Sequence, residues 1–223
     1  MKYQIAIDGP SGVGKSTTAK KLANKLSFTY VDTGAMYRAA GLYMTQNNID
    51  INDEKKVEAE IEKVDIDLEY KDNTLTVYLN ENNVTDIIRT SEISKAASVV
   101  SQYKKVRERL VNIQRHMAST KNVIMDGRDI GTVVLPNAFL KIFLVCNYDE
   151  RAKRVQKDLL AKGEEKTVEQ VKQDLIERDN RDTTRKESPL VKAKDHIEVD
   201  TSNNTIDEIT DKIYNLFMEK KEK

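Results

Sequence analysis

The sequence predicts an α/β fold, a parallel β-sheet covered by helices on both faces. Three observations carry that expectation. Short apolar runs rich in β-branched residues recur at "YQIAI" (3–7), "FTYV" (28–31), "NVIM" (122–125), "LKIFLVC" (140–146) and "HIEV" (196–199). Between them lie stretches with an apolar residue every three or four positions, the period of a helix buried along one face. The two patterns alternate along the chain, and such alternation builds a parallel sheet from repeated crossovers.

The first strand leads through a glycine-containing turn into a helix from about Lys15, and "FTYV" follows. A long excursion, roughly residues 33 to 107, then separates the second core strand from the third. Within it "VDIDLEYKDNTLTVYLNENNV" alternates apolar and polar residues around Lys71-Asp72-Asn73. That is the period of a half-buried strand, so this segment predicts an antiparallel hairpin or small meander. Val106, Leu110, Ile113 and Met117 line one face of the next helix, and Ile206, Ile209, Ile213 and Phe217 line one near the end. Thr205 with Glu208, and Thr167 with Gln170, have capping-box spacing at two helix starts.

Composition narrows the function. The chain has 223 residues, 39% hydrophobic and 33% charged, as expected of a globular protein. Thirty-seven basic residues balance thirty-seven acidic ones, so no net field favours nucleic acid or a membrane surface. Any anion site must come from local arginines and backbone amides. The one cysteine, Cys146, lies in an apolar run and reads as a structural thiol. No signal-like or membrane-length apolar stretch is present, which predicts a cytoplasmic setting. His116 and His196, the two histidines, read as structural.

The eight glycines concentrate where chemistry is expected. "GPSGVGKS" fits G-x-x-x-x-G-K-[ST] between a strand and a helix. Gly9, Pro10, Ser11, Gly12, Val13, Gly14, Lys15, Ser16 and Thr17 would then wrap a nucleotide's phosphates with inward N–H groups and a positive helix end. Lys15 would reach the β- and γ-phosphates. Ser16 would face a magnesium ion. Asp126, ending "NVIM", suits the same ion, directly or through water; its alternative is a turn or helix cap.

The phosphate acceptor must be read from charges further on. Arg128 and Asp129 follow a core strand end, where open sheets bind ligands; they either read a substrate together or pair with each other. "VDTGAMYRA" sets Thr33, Tyr37 and Arg38 at a helix start, which suits a second anion and equally a routine cap. In "DLIERDNRDTTRK" the stripe Val168, Val171, Leu175 passes into Arg178, Asp182 and Arg185, with Arg181 beside it. Arginines converging on a phosphate is favoured over a solvated salt-bridge face, since planar guanidinium binds phosphate bidentately.

The segments "IDGPSGVGKST", "DTGAMYRA", "DIIRTSEISKAASVVSQYKKVRERL", "DGRDIGTVVLPNA" and "IERDNRDTTR" followed by "SPL" occur in order through nearly the whole chain. Together they resemble the bacterial cytidylate kinases, nucleoside monophosphate kinases of the P-loop type. The resemblance implies transfer of the γ-phosphate of ATP to CMP or dCMP with Mg2+, by a monomer acting on small molecules, without nucleic acid or membrane. It implies a three-layer P-loop kinase with a five-stranded parallel core sheet (about 1–32, 108–150 and 186–223). An inserted monophosphate-binding lobe with a small antiparallel sheet (about 33–107) and a short helical lid (about 151–185) would complete it. Carried over by position, Thr33, Tyr37, Arg38, Ser98, Arg107, Arg128, Asp129, Arg178, Asp182 and Arg185 would surround CMP. Lys15, Arg128, Arg178 and Arg185 would be catalytic, and Arg151 and Arg154 would reach ATP. The chain departs from the frequent Asp-Ser-Gly with Asp32-Thr33-Gly34, keeping the hydroxyl and adding a methyl. No N-K-x-D signature follows the late strands, as a guanine-reading switch protein would need.

Overall fold

The computed structural model describes residues 2–71, 74–161 and 163–222. The chain begins β1 (Gln4–Asp8), α1 (Lys15–Leu26), β2 (Thr29–Asp32) and α2 (Thr33–Gln46). It continues through α3 (Glu54–Glu60), β3 (Ile66–Lys71), β4 (Thr74–Leu79), β5 (Asn82–Asn83) and α4 (Ser91–Val100). Then come α5 (Lys104–Thr120), β6 (Val123–Gly127), a π-helical turn (Ile130–Val134) and β7 (Leu140–Val145). Last are α6 (Tyr148–Leu160), α7 (Val168–Thr184), β8 (Ile197–Asp200) and α8 (Ile206–Glu222).

The five apolar runs form one sheet in the order β2-β6-β1-β7-β8, with every pairing parallel. Ile5, Ala6 and Ile7 of β1 and Val123, Ile124 and Met125 of β6 are inaccessible to solvent, as strands with both faces covered must be. Their side chains divide by alternation. Ile5, Ile7 and Ile124 join Leu22 of α1 with Ile209, Ile213 and Phe217 of α8. Ala6, Val123 and Met125 meet Val111 and Ala118 of α5 and Val134 of the π-helical turn. The result is three layers, with the sheet in the middle.

The excursion forms a second, antiparallel sheet, β3-β4-β5, in which Ile66 pairs with Leu79 and Lys71 with Thr74. Leu75, Val77 and Leu79 face inward. The turn expected at Asp72-Asn73 lies outside the described residues. Gly41 of α2 lets α4 approach closely, since a methyl there would sit 2.9 Å from the Ala97 nitrogen. α6 and α7 pack on each other through Ala152, Val171 and Leu175, a satellite core of their own.

Register decides where charge can collect. Asp8 pairs with Gly127 and Asp32 with Asp126, so β1, β2 and β6 end side by side. Both expected capping boxes form, at Thr167 with Gln170 and at Thr205 with Glu208.

Phe217 anchors α8 edge-on against Tyr3, Phe28 and Phe139, with ring centroids 5.4, 5.6 and 5.5 Å away. Phe217→Ala is expected to cost about 3–5 kcal/mol in urea denaturation. A loss below about 1 kcal/mol would show that α8 does not depend on that cluster.

Candidate active site

The first turn after β1 is built to leave amides free. A side chain on Gly9 would place Cβ 2.3 Å from the Leu144 carbonyl oxygen, so only glycine fits. Gly14 precedes α1 at φ 88° and supplies no side-chain cap. The helix's first N–H groups are therefore left for an anion. Lys15 is buried and donates from Nζ to the Pro10 carbonyl at 2.6 Å. Burial, then the nearby Arg128 charge, pushes its ammonium well below the ordinary lysine range. An arriving phosphate would reverse that penalty.

Asp126 sits at the next strand's end, where its carboxylate accepts from Ser16 Oγ and Tyr30 Oη, each at 2.8 Å. Its carbonyl accepts from Thr33 Oγ1 at 2.7 Å. Among the described residues it caps no helix. Burial, reinforced by the Asp32 charge, raises its carboxyl to about 6. Ser16 and Asp126 together offer hard oxygen donors of the kind magnesium takes when phosphates and water complete its shell.

One cavity of about 310 Å³ joins this loop to the charged residues expected from the later chain. Thr33, Tyr37, Arg38, Ser98, Arg107, Arg128, Asp129, Arg178, Asp182 and Arg185 all line it, with Lys15, Ser16 and Asp126. They arrive from α2, α4, α5, the β6 end and α7. Arg128 and Asp129 do not pair with each other. Arg128 donates from Nε to Asp182 at 2.8 Å, while Asp129 accepts from Arg107 and lies 3.7 Å from Arg185. Arg107 also donates to the Ser101 carbonyl and rests over the Tyr37 ring. Arg185 donates to the Ser188 carbonyl at 2.6 and 2.8 Å. Asp32 does cap α2, accepting from the Ala35 N–H, and also holds Arg38 at 3.1 Å.

The cleft is incompletely satisfied. Among the described residues, Tyr37 Oη, Arg38 Nε, Ser98 Oγ, Arg107 Nε and Arg178 Nε are buried without a hydrogen-bond partner. Each such group costs about 1–3 kcal/mol, and all five residues line the one cavity. Burial raises the Tyr37 hydroxyl to about 12, which keeps it a donor. Among the described residues Arg178 makes no ion pair; burial and the Arg128 charge bring it down to about 10.

Other expectations are redistributed. Arg181 is exposed on α7 and lines a neighbouring groove, not this cavity. At about 100° per residue Arg178, Asp182 and Arg185 fall within about 60° of arc, while Arg181 lies at its margin, about 100° from Asp182, and Arg128, just after β6, supplies the guanidinium that Arg181 does not. Arg151 is buried with Nε on the Ser11 carbonyl at 2.7 Å and a bidentate pair to Asp179 at 2.7 and 2.9 Å. Arg154 donates to the Thr201 carbonyl at 2.6 Å. Neither lines the cavity. His196 is buried against Asp8, whereas His116 is exposed on α5. Cys146 is half-buried beside the main core. Tyr30, Ser101 and Asp179, which hold functional groups in place, were not legible in the sequence, because only strand register and helix packing bring them near.

Comparison with known proteins shows the family. A model of the family described as cytidylate kinase matches residues 5–219. A cytidylate kinase of Pediococcus pentosaceus is 48% identical over 95% of this chain and 94% of that one. One from Carboxydothermus hydrogenoformans is 48% identical over 94% and 95%. In fold, the chain is similar to an uncharacterized protein from Eubacterium ventriosum, 16% identical with TM-score 0.53 over 98% of this chain and 99% of the other. It is also similar to a shikimate kinase from Bacteroides thetaiotaomicron, 12% identical with TM-score 0.50 over 97% and 98%. At those identities the structural likeness concerns the fold alone.

The raised carboxyl of Asp126 has a sign that can be checked. A buried acid at about 6, against an ordinary 3.8, binds more protons folded than unfolded between those values, so its ionisation costs stability as pH rises through that window. Asp126→Asn should therefore melt above the parent protein at pH 7 without ligand, with the gap closing below about pH 4. A variant that melts lower at both pH values would reverse the assignment.

Proposed function

This chain belongs to the cytidylate kinase family, and from that premise we propose how its residues share the transfer of the γ-phosphate of ATP to CMP or dCMP. The reaction yields ADP and CDP or dCDP. The turn from Gly9 to Thr17 holds the ATP phosphates, with Lys15 on the transferred group and Arg151 and Arg154 acting from the lid side. Thr33, Tyr37, Arg38, Ser98, Arg107, Arg128, Asp129, Arg178, Asp182 and Arg185 hold the acceptor. The observation that carries this division is the set of buried, unpartnered polar atoms on Tyr37, Arg38, Ser98, Arg107 and Arg178 around one cavity.

The acceptor's chemistry assigns roles within that set. Cytosine presents an exocyclic N4–H2 donor where uracil presents an oxygen. Asp129 accepts from the former and repels the latter. Arg107 donates to the ring's N3 and O2, and Asp182 accepts from a sugar hydroxyl. The remaining arginines hold the CMP phosphate. A wrong base leaves these buried groups unpaired, which is how a hydrogen-bonded site discriminates strongly.

No general base is required. The nucleophile is a phosphate oxygen whose second pKa is about 6, so it is largely dianionic near neutrality. Lys15, Arg128, Arg178 and Arg185 align the two phosphates and neutralise charge as it spreads over the transferred group. Ser16 and Asp126 would hold magnesium that arrives with ATP; when bound, the ion screens the β- and γ-phosphate oxygens. The lobe (about 33–107) and lid (about 151–185) close over the core (about 1–32, 108–150 and 186–223), excluding water and suppressing ATP hydrolysis.

The reading extends to a cytoplasmic monomer acting on small molecules, with neither nucleic acid nor membrane as partner. Balanced charge supports it. Among the described residues no helix is long and apolar enough to cross a membrane.

ADP formation should be faster with CMP or dCMP than with UMP or dTMP. Asp129→Ala should raise KM for CMP far more than KM for ATP and narrow the CMP/UMP gap; equal damage to both nucleotides would move Asp129 out of base recognition. Lys15→Ala should lower kcat by a factor on the order of 10²–10³ with a smaller change in KM. Turnover near the parent rate in that variant would contradict the assignment of the phosphate loop.

A further inference from the structure

Asp8 is the last residue of β1 and wholly buried, one position before the phosphate-binding turn. Alternation puts its side chain on the Ala6 face of the sheet, under the π-helical turn. There its carboxylate accepts from the Ile130 and Gly131 N–H groups, each at 2.7 Å. His196 Nε2 lies 3.1 Å from the same carboxylate. Nδ1 of His196 accepts from the Ala193 N–H at 3.0 Å, so the ring hydrogen sits on Nε2 and points at Asp8. Three donors thus converge on one buried carboxylate. None belongs to β1.

The two amides that Asp8 satisfies are the first of the π-helical turn, and the residue before that turn is Asp129. Aspartate is among the best residues for capping such a start, with its own oxygen folded back onto the nearby amides. Asp129 does not do so: at φ −143° and ψ 26° its side chain makes no cap bond. Its carbonyl accepts from Val133 and Val134 at 2.8 and 3.1 Å, which pins its backbone, while its carboxylate turns to Arg107 and Arg185. Gly131 makes the exchange possible, because a methyl there would lie 2.6 Å from His196 Nε2.

We propose that Asp8 is a specificity-positioning residue: by capping the π-helical turn from a neighbouring strand, it leaves the Asp129 carboxylate free to read the acceptor base. Without Asp8, the Ile130 and Gly131 amides are buried donors in need of an acceptor, and Asp129 is the carboxylate adjoining them. Once drawn back as a cap, Asp129 leaves the cavity, and Arg107 loses the partner that aims it. This rests on the reading of Asp129 as the group that meets the base.

The test compares Asp8→Asn, Asp129→Ala and the double variant, with kcat/KM measured for CMP and UMP, KM for ATP, and melting temperature. Asp8→Asn should raise KM for CMP about tenfold and lower the CMP/UMP ratio, and leave KM for ATP within about twofold. The double variant should bind CMP no worse than Asp129→Ala alone, since Asp8 acts through Asp129. A lower melting temperature with the parent's CMP/UMP ratio in Asp8→Asn would make Asp8 structural and overturn the proposal. If Asp129→Ala itself keeps that ratio, the reading of Asp129 fails first and the proposal falls with it. Should Asp8→Asn not fold, His196 carries the question. His196→Phe, which deletes one donor, should shift the ratio the same way, and His196→Gln, which restores an N–H, should bring it back. Identical ratios in parent, Phe and Gln variants would overturn it.

Discussion

Repulsion between buried cations is the constraint on which the rest of this structure depends. Lys15 and Arg178 are both held out of water without an ion pair among the described residues, and each is pushed toward neutrality by burial and then by Arg128. Such an arrangement does not stabilise a fold. It persists because the sheet and its covering helices bury enough apolar surface to offset it, and because an anion between the cations turns the repulsion into attraction. On the proposed reading, a triphosphate on one side and a monophosphate on the other would satisfy that electrostatic demand together.

The strands supply rigidity where the cations need it. Asp8, Asp32 and Asp126 end adjacent parallel strands, and their carboxylates bond to different partners. Asp8 holds the π-helical turn, Asp32 the start of α2 with Arg38, and Asp126 the hydroxyls of Ser16 and Tyr30. Three carboxylates at one sheet edge would repel if left alone. Backbone amides, hydroxyls and, at Asp32, the Arg38 guanidinium disperse that charge, so the carboxyl ends of these strands can carry three acids side by side.

α6 and α7 are tied to the rest of the molecule by polar contacts, whereas the excursion shares the central core, with Ile66, Leu75, Val77, Ile93 and Val100 packed in one cluster with Ile5 and Ile7. Arg151 bridges the Ser11 carbonyl of the phosphate turn to Asp179 of α7. Ser91, at the start of α4, donates to Glu164 beyond α6. α6 and α7 keep their own small apolar cluster apart from the central one. Polar ties of this kind exchange with water at low net cost, whereas separating a packed core does not. On the proposed reading, that difference is what would let α6 and α7 move over a core that stays rigid.

Much of this was legible in the linear chain. Apolar runs and three-to-four spacing require strands and helices because period alone decides which face can be buried, and "GPSGVGKS" fixes a turn because few backbones follow those glycines. The spacing of "RDNRDTTR" likewise put Arg178, Asp182 and Arg185 on one surface of α7. Only the tertiary structure decided the pairings. Arg128 chooses Asp182 over its neighbour Asp129, Arg107 crosses from α5 to Asp129, Arg181 turns away, and Tyr30 reaches Asp126. Local sequence sets dihedral preferences and faces over a few residues, but the partner of a buried charge is whichever group parallel strand register and helix packing bring within about 3 Å, and distance along the chain does not encode that.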